Sequence, residues 1–222
     1  MPVEKTIHLL SSGIDSPVAG YLLIQAGIEP IFLFFDANPY NTERTKQVAI
    51  KLASKLATIA GHSFKMYIAP HGGTMSAMKA AWTEAEQKYS CLFCKRIYYR
   101  IAVEIAKLDG AQAISTGEII GEQASQTIDN MTLIQDAIGT FLIVRPLLTM
   151  DKQQVIDIAR NIGTLEISNE SKDPCQLAPK FPITHGRIET YKKIEEKIDV
   201  PALLQKVMYN LEIIDILPAD IE

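Results

Sequence analysis

Leu9-Leu10-Ser11-Ser12-Gly13-Ile14-Asp15-Ser16-Pro17 is the stretch on which the fold turns. It closes an apolar run over residues 6–10 and leads into the first helical pattern, over 16–26. Serine and glycine let the backbone turn tightly between a strand and a helix. The turn aims N–H groups and serine hydroxyls at one spot. That spot is a helix N-terminus, where unpaired donors and the positive end of the helix dipole favour an anion. Pro17 suits the first helical turn, because its missing N–H would have no partner there. Taken alone, the stretch is either a phosphate-binding loop with an acidic side chain, Asp15, beside it, or an ordinary capped turn.

The rest of the chain alternates in the same way. Strand-like runs fall at 6–10, 30–35, 63–69, 111–116 and 140–145. Helical patterns fall at 16–26, 42–60, 74–88, 94–108 and 151–162, with Gly27, Gly61 and Gly163 just past the ends of three of them. Short, two-sidedly apolar strands alternating with helices predict an α/β fold: a doubly wound, parallel, five-stranded sheet covered on both faces. For a strand order of 3-2-1-4-5, ligands bind between the first and fourth strands, where the order reverses. The loops at 11–16 and 117–121 follow those two strands, which favours the phosphate-loop alternative. After Gly163 the pattern changes. Residues 166–186 hold three prolines and little helical period, and 187–197 and 201–216 are predicted helical. The expected organisation is one domain over 1–180 with a C-terminal helical extension over 181–222.

Composition sets outer limits. A chain of 222 residues, 47% apolar and 22% charged, has the profile of a soluble globular protein with one substantial core. No run approaches the roughly 18 apolar residues that span a bilayer. Met1-Pro2-Val3-Glu4-Lys5 lacks the apolar region of a signal peptide, so a cytoplasmic protein without membrane contact is expected. The net charge of −4 provides no large basic field for nonspecific nucleic-acid binding. Two local basic clusters stand out, Lys95-Arg96 with Arg100 and Lys192-Lys193 with Lys197. The second reads as a solvated helix face.

Three cysteines, Cys91, Cys94 and Cys175, do not make a disulfide framework. Cys91-Leu92-Phe93-Cys94 has the spacing of a metal-binding or redox pair. The surrounding pattern does not suit a thioredoxin-like pair. Zinc would need a fourth ligand, for which His71 and His185 are candidates. Three thiolates suit an iron–sulfur cluster better. Among the histidines, His8 lies in the first strand, His62 follows a helix end, and His71 sits beside Gly72-Gly73.

The opening stretch resembles the S-G-G-x-D-S loop of the PP-loop ATP pyrophosphatases. Within that superfamily the chain resembles the tRNA 4-thiouridine synthase (ThiI) family. The matching stretches are Pro39-Tyr40-Asn41-Thr42-Glu43-Arg44, Ser115-Thr116-Gly117-Glu118-Ile119-Ile120-Gly121, Ala124-Ser125-Gln126-Thr127, Arg145-Pro146-Leu147 and Met150-Asp151-Lys152. Gly163-Thr164-Leu165-Glu166-Ile167-Ser168 and Asp173-Pro174-Cys175 continue them. One departure is Ser12, where the family loop usually has glycine; a serine fits there only with a negative φ.

The resemblance implies ATP and Mg²⁺ as cofactors and attack of a substrate carbonyl oxygen on the α-phosphorus, releasing pyrophosphate. Sulfur then displaces AMP, and the implied substrate is a uridine in tRNA. Ser11, Ser12, Gly13 and Ser16 are implied to cradle phosphates, Asp15 to hold magnesium, and Lys152 to serve adenylation. The family's other ATP contacts map onto Leu9, Leu10, Phe34, Phe35, Arg96, Gly117 and Gln126. Family members without a rhodanese-like domain tend to carry a CxxC and a third cysteine. An iron–sulfur cluster on Cys91, Cys94 and Cys175 is therefore implied, with zinc or a persulfide on Cys175 as alternatives. The implied partners are tRNA and a sulfur donor (sulfide or a persulfide carrier). The chain begins almost at the first strand, so the RNA-binding (THUMP-type) region is expected from a separate partner, a homodimer, or the basic cluster around Arg96. A dimer face is expected on a C-terminal helical stripe, Val207, Leu211, Ile214 and Leu217, unless that stripe packs on its own sheet. Two rivals remain: a PP-loop enzyme adenylating a non-RNA substrate, and a noncatalytic adenine-nucleotide sensor.

Overall fold

The computed structural model describes residues 4–171 and 174–219. The expectations resting on the first three residues and on Asp173 lie outside the described residues. The elements run β1 (Lys5–Leu9), α1 (Asp15–Gln25), β2 (Glu29–Asp36), α2 (Glu43–Ala60), β3 (Phe64–Pro70), α3 (Gly72–Ala81) and α4 (Ser90–Asp109). They continue with β4 (Ala113–Ser115), α5 (Ile128–Gln135), β5 (Ile143–Val144), α6 (Lys152–Asn161), α7 (Leu165–Ser168), α8 (Ile188–Glu195), α9 (Val200–Tyr209) and β6 (Glu212–Ile216).

The strands form one sheet in the order β5-β4-β1-β2-β3-β6. The first five are parallel to one another, and read from β3 to β5 they give the expected 3-2-1-4-5. The winding reverses between β1 and β4, which pair through Thr6 with Ala113 and His8 with Ser115. Strand β2 explains why the sheet is covered on both sides. Its successive side chains alternate between faces. Phe32 and Phe34 pack with Leu56 and Met66 on the α2 side, whereas Leu33 and Phe35 pack with Phe93 and Ile97 on the α4 side.

The C-terminal expectation is corrected. Residues 201–216 are not one helix: α9 stops at Tyr209, and Glu212–Ile216 pairs antiparallel with β3 as a sixth strand. The open edge of β3 offers a row of unpaired N–H and C=O groups, and isoleucine-rich Glu-Ile-Ile-Asp-Ile suits a pleated edge. Its period is two: Ile214 and Ile216 turn inward while Ile213 faces solvent. Of the expected stripe, Val207 lies in α9 and Ile214 in β6, while Leu211 and Leu217 fall outside both, so it makes no continuous helical face. The 166–186 excursion is pinned by backbone bonds from Gln176 N to Tyr40 O (3.1 Å) and Ile183 N to Lys88 O (3.1 Å).

Candidate active site at the β1–β4 reversal

The 11–16 turn holds itself open. Ser16 Oγ accepts from Ser11 N at 2.8 Å and lies 2.9 Å from Ser11 Oγ, while Gly13 N donates to Ser11 Oγ at 3.3 Å. From outside the turn, Ser168 Oγ donates to Gly13 O at 3.2 Å. No non-glycine residue among those described has a positive φ, so Ser12 takes the place of a glycine without backbone strain. Helix α1 starts at Asp15 with no side-chain cap, which leaves its first N–H groups facing the turn.

His8 ties this turn to the sheet. Its ring is buried, with Nε2 at 2.8 Å from Ser16 O and Nδ1 at 2.9 Å from Ser115 Oγ. A carbonyl can only accept, so Nε2 carries the proton and Nδ1 accepts from the serine hydroxyl. Burial lowers the His8 pKa to about 4, against the opposing effect of the bond to Ser16, and the ring is neutral at pH 7. Gly117 closes the gap from the β4 side. A Cβ there would lie 2.8 Å from the backbone of Asp15 and Ser16, so only glycine lets the two loops approach.

A cavity of about 290 Å³ opens at this reversal. Leu9, Leu10, Ser11, Gly13, Asp15, Ser16, Phe34, Phe35, Gly117 and Gln126 all line it. Ser12 lies instead in the wall of a neighbouring cavity. Gln126 Oε1 is buried with no donor to bond. Lys152, at the first position of α6, reaches across to both oxygens of Asp15 (2.7 and 2.9 Å) and to Glu122 (3.3 Å). Burial opposes the Lys152 charge, but its bonds to Asp15 and Glu122 outweigh that and raise its pKa. Asp151 places it, capping α6 with its side chain on Gln153 N in a capping box with Gln154.

Arg96 is a correction. It does not line the cavity but points to the other side of α4. There it is 2% exposed, bonded to Leu133 O (2.5 Å), Asp136 (3.1 Å) and Glu195 (3.4 Å), and its guanidinium lies 4.9 Å from the Tyr191 ring. Arg100 is committed to the same Glu195 through two bonds of 2.8 Å. Arg96 and Arg100 are thus spent on anchoring α4 to α8, and Arg96 also to the end of α5 and the residue after it.

Lys95 occupies the cavity in its place. Helical spacing contained this signal: Cys91, Cys94, Lys95 and Tyr98 stand at i, i+3, i+4 and i+7, one face of α4, and Arg96 does not belong to that face. Lys95 is held by Glu118 (2.9 Å), a carboxylate that also accepts from Tyr99 (2.7 Å), Thr116 (3.1 Å) and Arg145 (2.9 Å). Burial acts to raise the Glu118 pKa, but Lys95 and the bonds from Tyr99 and Arg145 override it and hold the pKa at about 2.

The neighbouring cavity, about 370 Å³, carries Cys91, Cys94 and Cys175 in its wall, together with Ser11, Phe34, Phe35, Lys95 and Tyr98, which both cavities share. The CxxC pair lies in the first turns of α4 rather than ahead of it. Burial raises the thiol pKa of Cys91 and, further, of Cys94, while Cys175 is exposed. The two helical cysteines are therefore protonated thiols at neutral pH. Among the described residues, no three His, Cys, Asp or Glu side chains are gathered as a metal-ligand group. Neither histidine considered for zinc lines this cavity. His71 is fully buried against Phe35 and Tyr98 with both nitrogens unpartnered. His185 bonds Asp129 at 2.9 Å at a separate cavity. No helix among the described residues is long and apolar enough to cross a membrane.

Comparison with known proteins places this geometry in a family. The family model "Thiamine biosynthesis protein (ThiI)" matches residues 2–200. A "Probable tRNA sulfurtransferase" of Halothermothrix orenii is 36% identical over 216 residues, 96% of this chain and 53% of that protein. One of Methanosarcina mazei is 36% identical over 207 residues, covering 92% and 50%. The chain spans about half the length of the curated relatives it matches. A crystal structure of a 4-thiouridine synthetase–RNA complex with bound ATP superposes with a TM-score of 0.89 at 31% identity, over 96% of this chain and 55% of that one. An NMN synthetase from Francisella tularensis, at 17% identity and a TM-score of 0.59, shares the fold.

Proposed function

The chain belongs to the ThiI family, and from that premise we propose that it activates a nucleobase carbonyl with ATP and replaces the oxygen with sulfur, acting on uridine in tRNA. One observation supports this above the others. The cavity at the phosphate-type loop and the cavity holding all three cysteines share a wall, so activation and sulfur delivery meet at one point. The three thiols in the wall of the second cavity favour sulfur chemistry over a nucleotide sensor or an enzyme that adenylates a carboxylate.

In the proposed reaction the base carbonyl oxygen attacks the α-phosphorus, the α–β anhydride bond breaks, and pyrophosphate leaves. Hydrosulfide then adds to the activated ring carbon, loses its proton, and AMP departs with the former carbonyl oxygen. Ser11, Gly13 and Ser16 cradle the phosphates with the free N–H groups of α1. Lys95 and Lys152 offset the charge that develops on them. Mg²⁺ is usually held by one or two carboxylates plus substrate phosphates, and Asp15, which with Glu122 now pairs with Lys152, is the residue that would hold it. Gln126 lines the same cavity and is the residue through which the family's ATP contact would run. Cys91, Cys94 and Cys175, which share the wall of the second cavity, are the thiols that would hold an iron–sulfur cluster, and such a group would serve sulfur delivery there.

The test is AMP and pyrophosphate release with and without bulk tRNA, on protein prepared anaerobically and analysed for iron, sulfide and zinc. Release that depends on tRNA, from protein containing iron and sulfide, is expected. Release with small substrates alone would favour the non-RNA enzyme, and no release under any condition the sensor. Stoichiometric zinc without iron would replace the cluster.

A further inference from the structure

Five cations lie over aromatic rings among the described residues. Lys65 and Arg96 also hold carboxylates. The other three are Lys79 over Tyr40, Lys88 over Tyr89 and Lys180 over Phe181. These lysines are exposed and pair with no carboxylate among the described residues. All three pairs border the cysteine cavity. Lys79 and Tyr40 are next in sequence to Met78 and Asn41, Tyr89 is next to Ser90, and Phe181 follows Leu177 and Ala178, all residues of its wall. Two backbone bonds draw the pairs together, Gln176 N to Tyr40 O and Ile183 N to Lys88 O, 3.1 Å each. Residues 87–103 and 174–188 contain no Asp or Glu. A chain of net charge −4 thus carries, around one opening, lysines without counter-charges. Phe181 stands among them 78% exposed.

We propose that this rim is a docking surface for an unpaired stretch of RNA, with Lys79, Lys88 and Lys180 on its phosphates and one base stacked on Phe181. The proposal rests on the sulfurtransferase reading above and adds to it the place where the strand lies. That place is outside both cavities, since none of the six paired residues lines either one. It also replaces the basic cluster around Arg96, whose cations are taken up by Glu195 and Asp136. A phosphate chain supplies the counter-charges that the lysines lack, and it releases its own bound ions to solution as it does so. A lysine already seated over a ring has an ordered stem, so less freedom is lost when a phosphate arrives. An acidic protein would also meet the lysines, but it offers no π-face to the exposed phenylalanine. An unpaired base does. A paired base is stacked within its duplex and leaves Phe181 uncovered, so the surface selects unpaired segments.

The experiment follows binding of a fluorescein-labelled oligouridylate to the full chain by anisotropy, between about 50 and about 200 mM KCl and without ATP, so that the readout needs no turnover. Lys79→Gln, Lys88→Gln and Lys180→Gln should each weaken binding and lower the slope of log affinity against log salt by about 0.7, the share of one phosphate on a single strand. Phe181→Ala should weaken binding about tenfold with the slope unchanged, and Phe181→Trp should restore it, which a misfolded segment would not. Lys193→Gln, at an exposed lysine of α8, should change neither quantity. No binding by the wild type at about 50 mM salt, or unchanged binding by the triple lysine variant, overturns the proposal. So does a lysine effect without a Phe181 effect, which would make an acidic protein the occupant. AMP release with bulk tRNA, measured in parallel, tests the sulfurtransferase reading separately. Release with an unaltered KM for tRNA in the triple lysine variant defeats the rim alone. No release by the wild type defeats the sulfurtransferase reading, whatever the affinity for RNA.

Discussion

Replacing Glu118 by glutamine removes the single negative charge at the centre of the Lys95–Tyr99–Thr116–Arg145 cluster. The side chain is 6% exposed, so solvent screening is slight. The sign follows from the direction of the shift. The folded carboxyl titrates at about 2, below its value of 4.5 in an unfolded chain. Its contribution to stability is therefore complete above 4.5 and is lost as the pH falls through 2. A difference of about 2.5 pH units corresponds to about 3 kcal/mol, of which about 2 kcal/mol disappears between about pH 6 and about pH 3. The chain has one tryptophan, Trp82, buried in the core with its indole N–H on Ile194 O, and its fluorescence reports unfolding in urea. At neutral pH the Glu118→Gln protein should be less stable by about 3 kcal/mol, because Lys95 and Arg145 lose their shared counter-charge. On acidification it should lose about 2 kcal/mol less than the wild type. Other titrating groups, including Glu86 beside Lys197, occur in both proteins and cancel. Parallel losses of stability from pH 6 to pH 3 would refute the idea that this carboxylate is held ionised by its neighbours.

His71→Phe removes a ring whose two nitrogens have no partner and whose burial lowers its pKa to about 3. The unfolded chain takes up that proton first as the pH falls below 6.5, so the variant should resist acid better, by up to about 2 kcal/mol near pH 5 in urea titrations. Equal acid sensitivity would show that His71 is protonated normally. Gly117→Ala drives a methyl group into the backbone of Asp15 and Ser16. It should cost about 1–3 kcal/mol and weaken ATP binding by calorimetry, and unchanged affinity would dissociate the two loops. Asp15→Asn and Lys152→Ala should each lower AMP formation at least about a hundredfold with the far-UV circular dichroism unchanged. Full turnover in either variant would move the site elsewhere.

Much of the scaffold is legible in the chain because its signals are local. Apolar runs between glycine stops locate the strands, and the serine–glycine turn after the first of them locates the ligand end of the sheet. Position within a helix is less visible when residues are read as motif letters. Arg96 and Lys95 are neighbours in sequence, yet about 100° of helical rotation sends one to Glu195 and the other into the cavity. The C-terminal isoleucines fit a helical period as well as a strand period over so short a span. Pairing with the free edge of β3 settles the matter, and that edge is invisible in the local sequence.

By itself, then, the amino-acid order determines the alternation of strands and helices, the phosphate-type turn beside Asp15, and the three cysteines, because these depend on residue type and short spacing. Tertiary structure alone decides that Lys152 meets Asp15 across 137 positions, that Lys95 displaces Arg96 from the site, and that Asn41 joins Cys91, Cys94 and Cys175 around one cavity. Those relations come from the crossing of elements at the β1–β4 reversal. Contact there depends on sheet order and helix rotation rather than on distance along the chain.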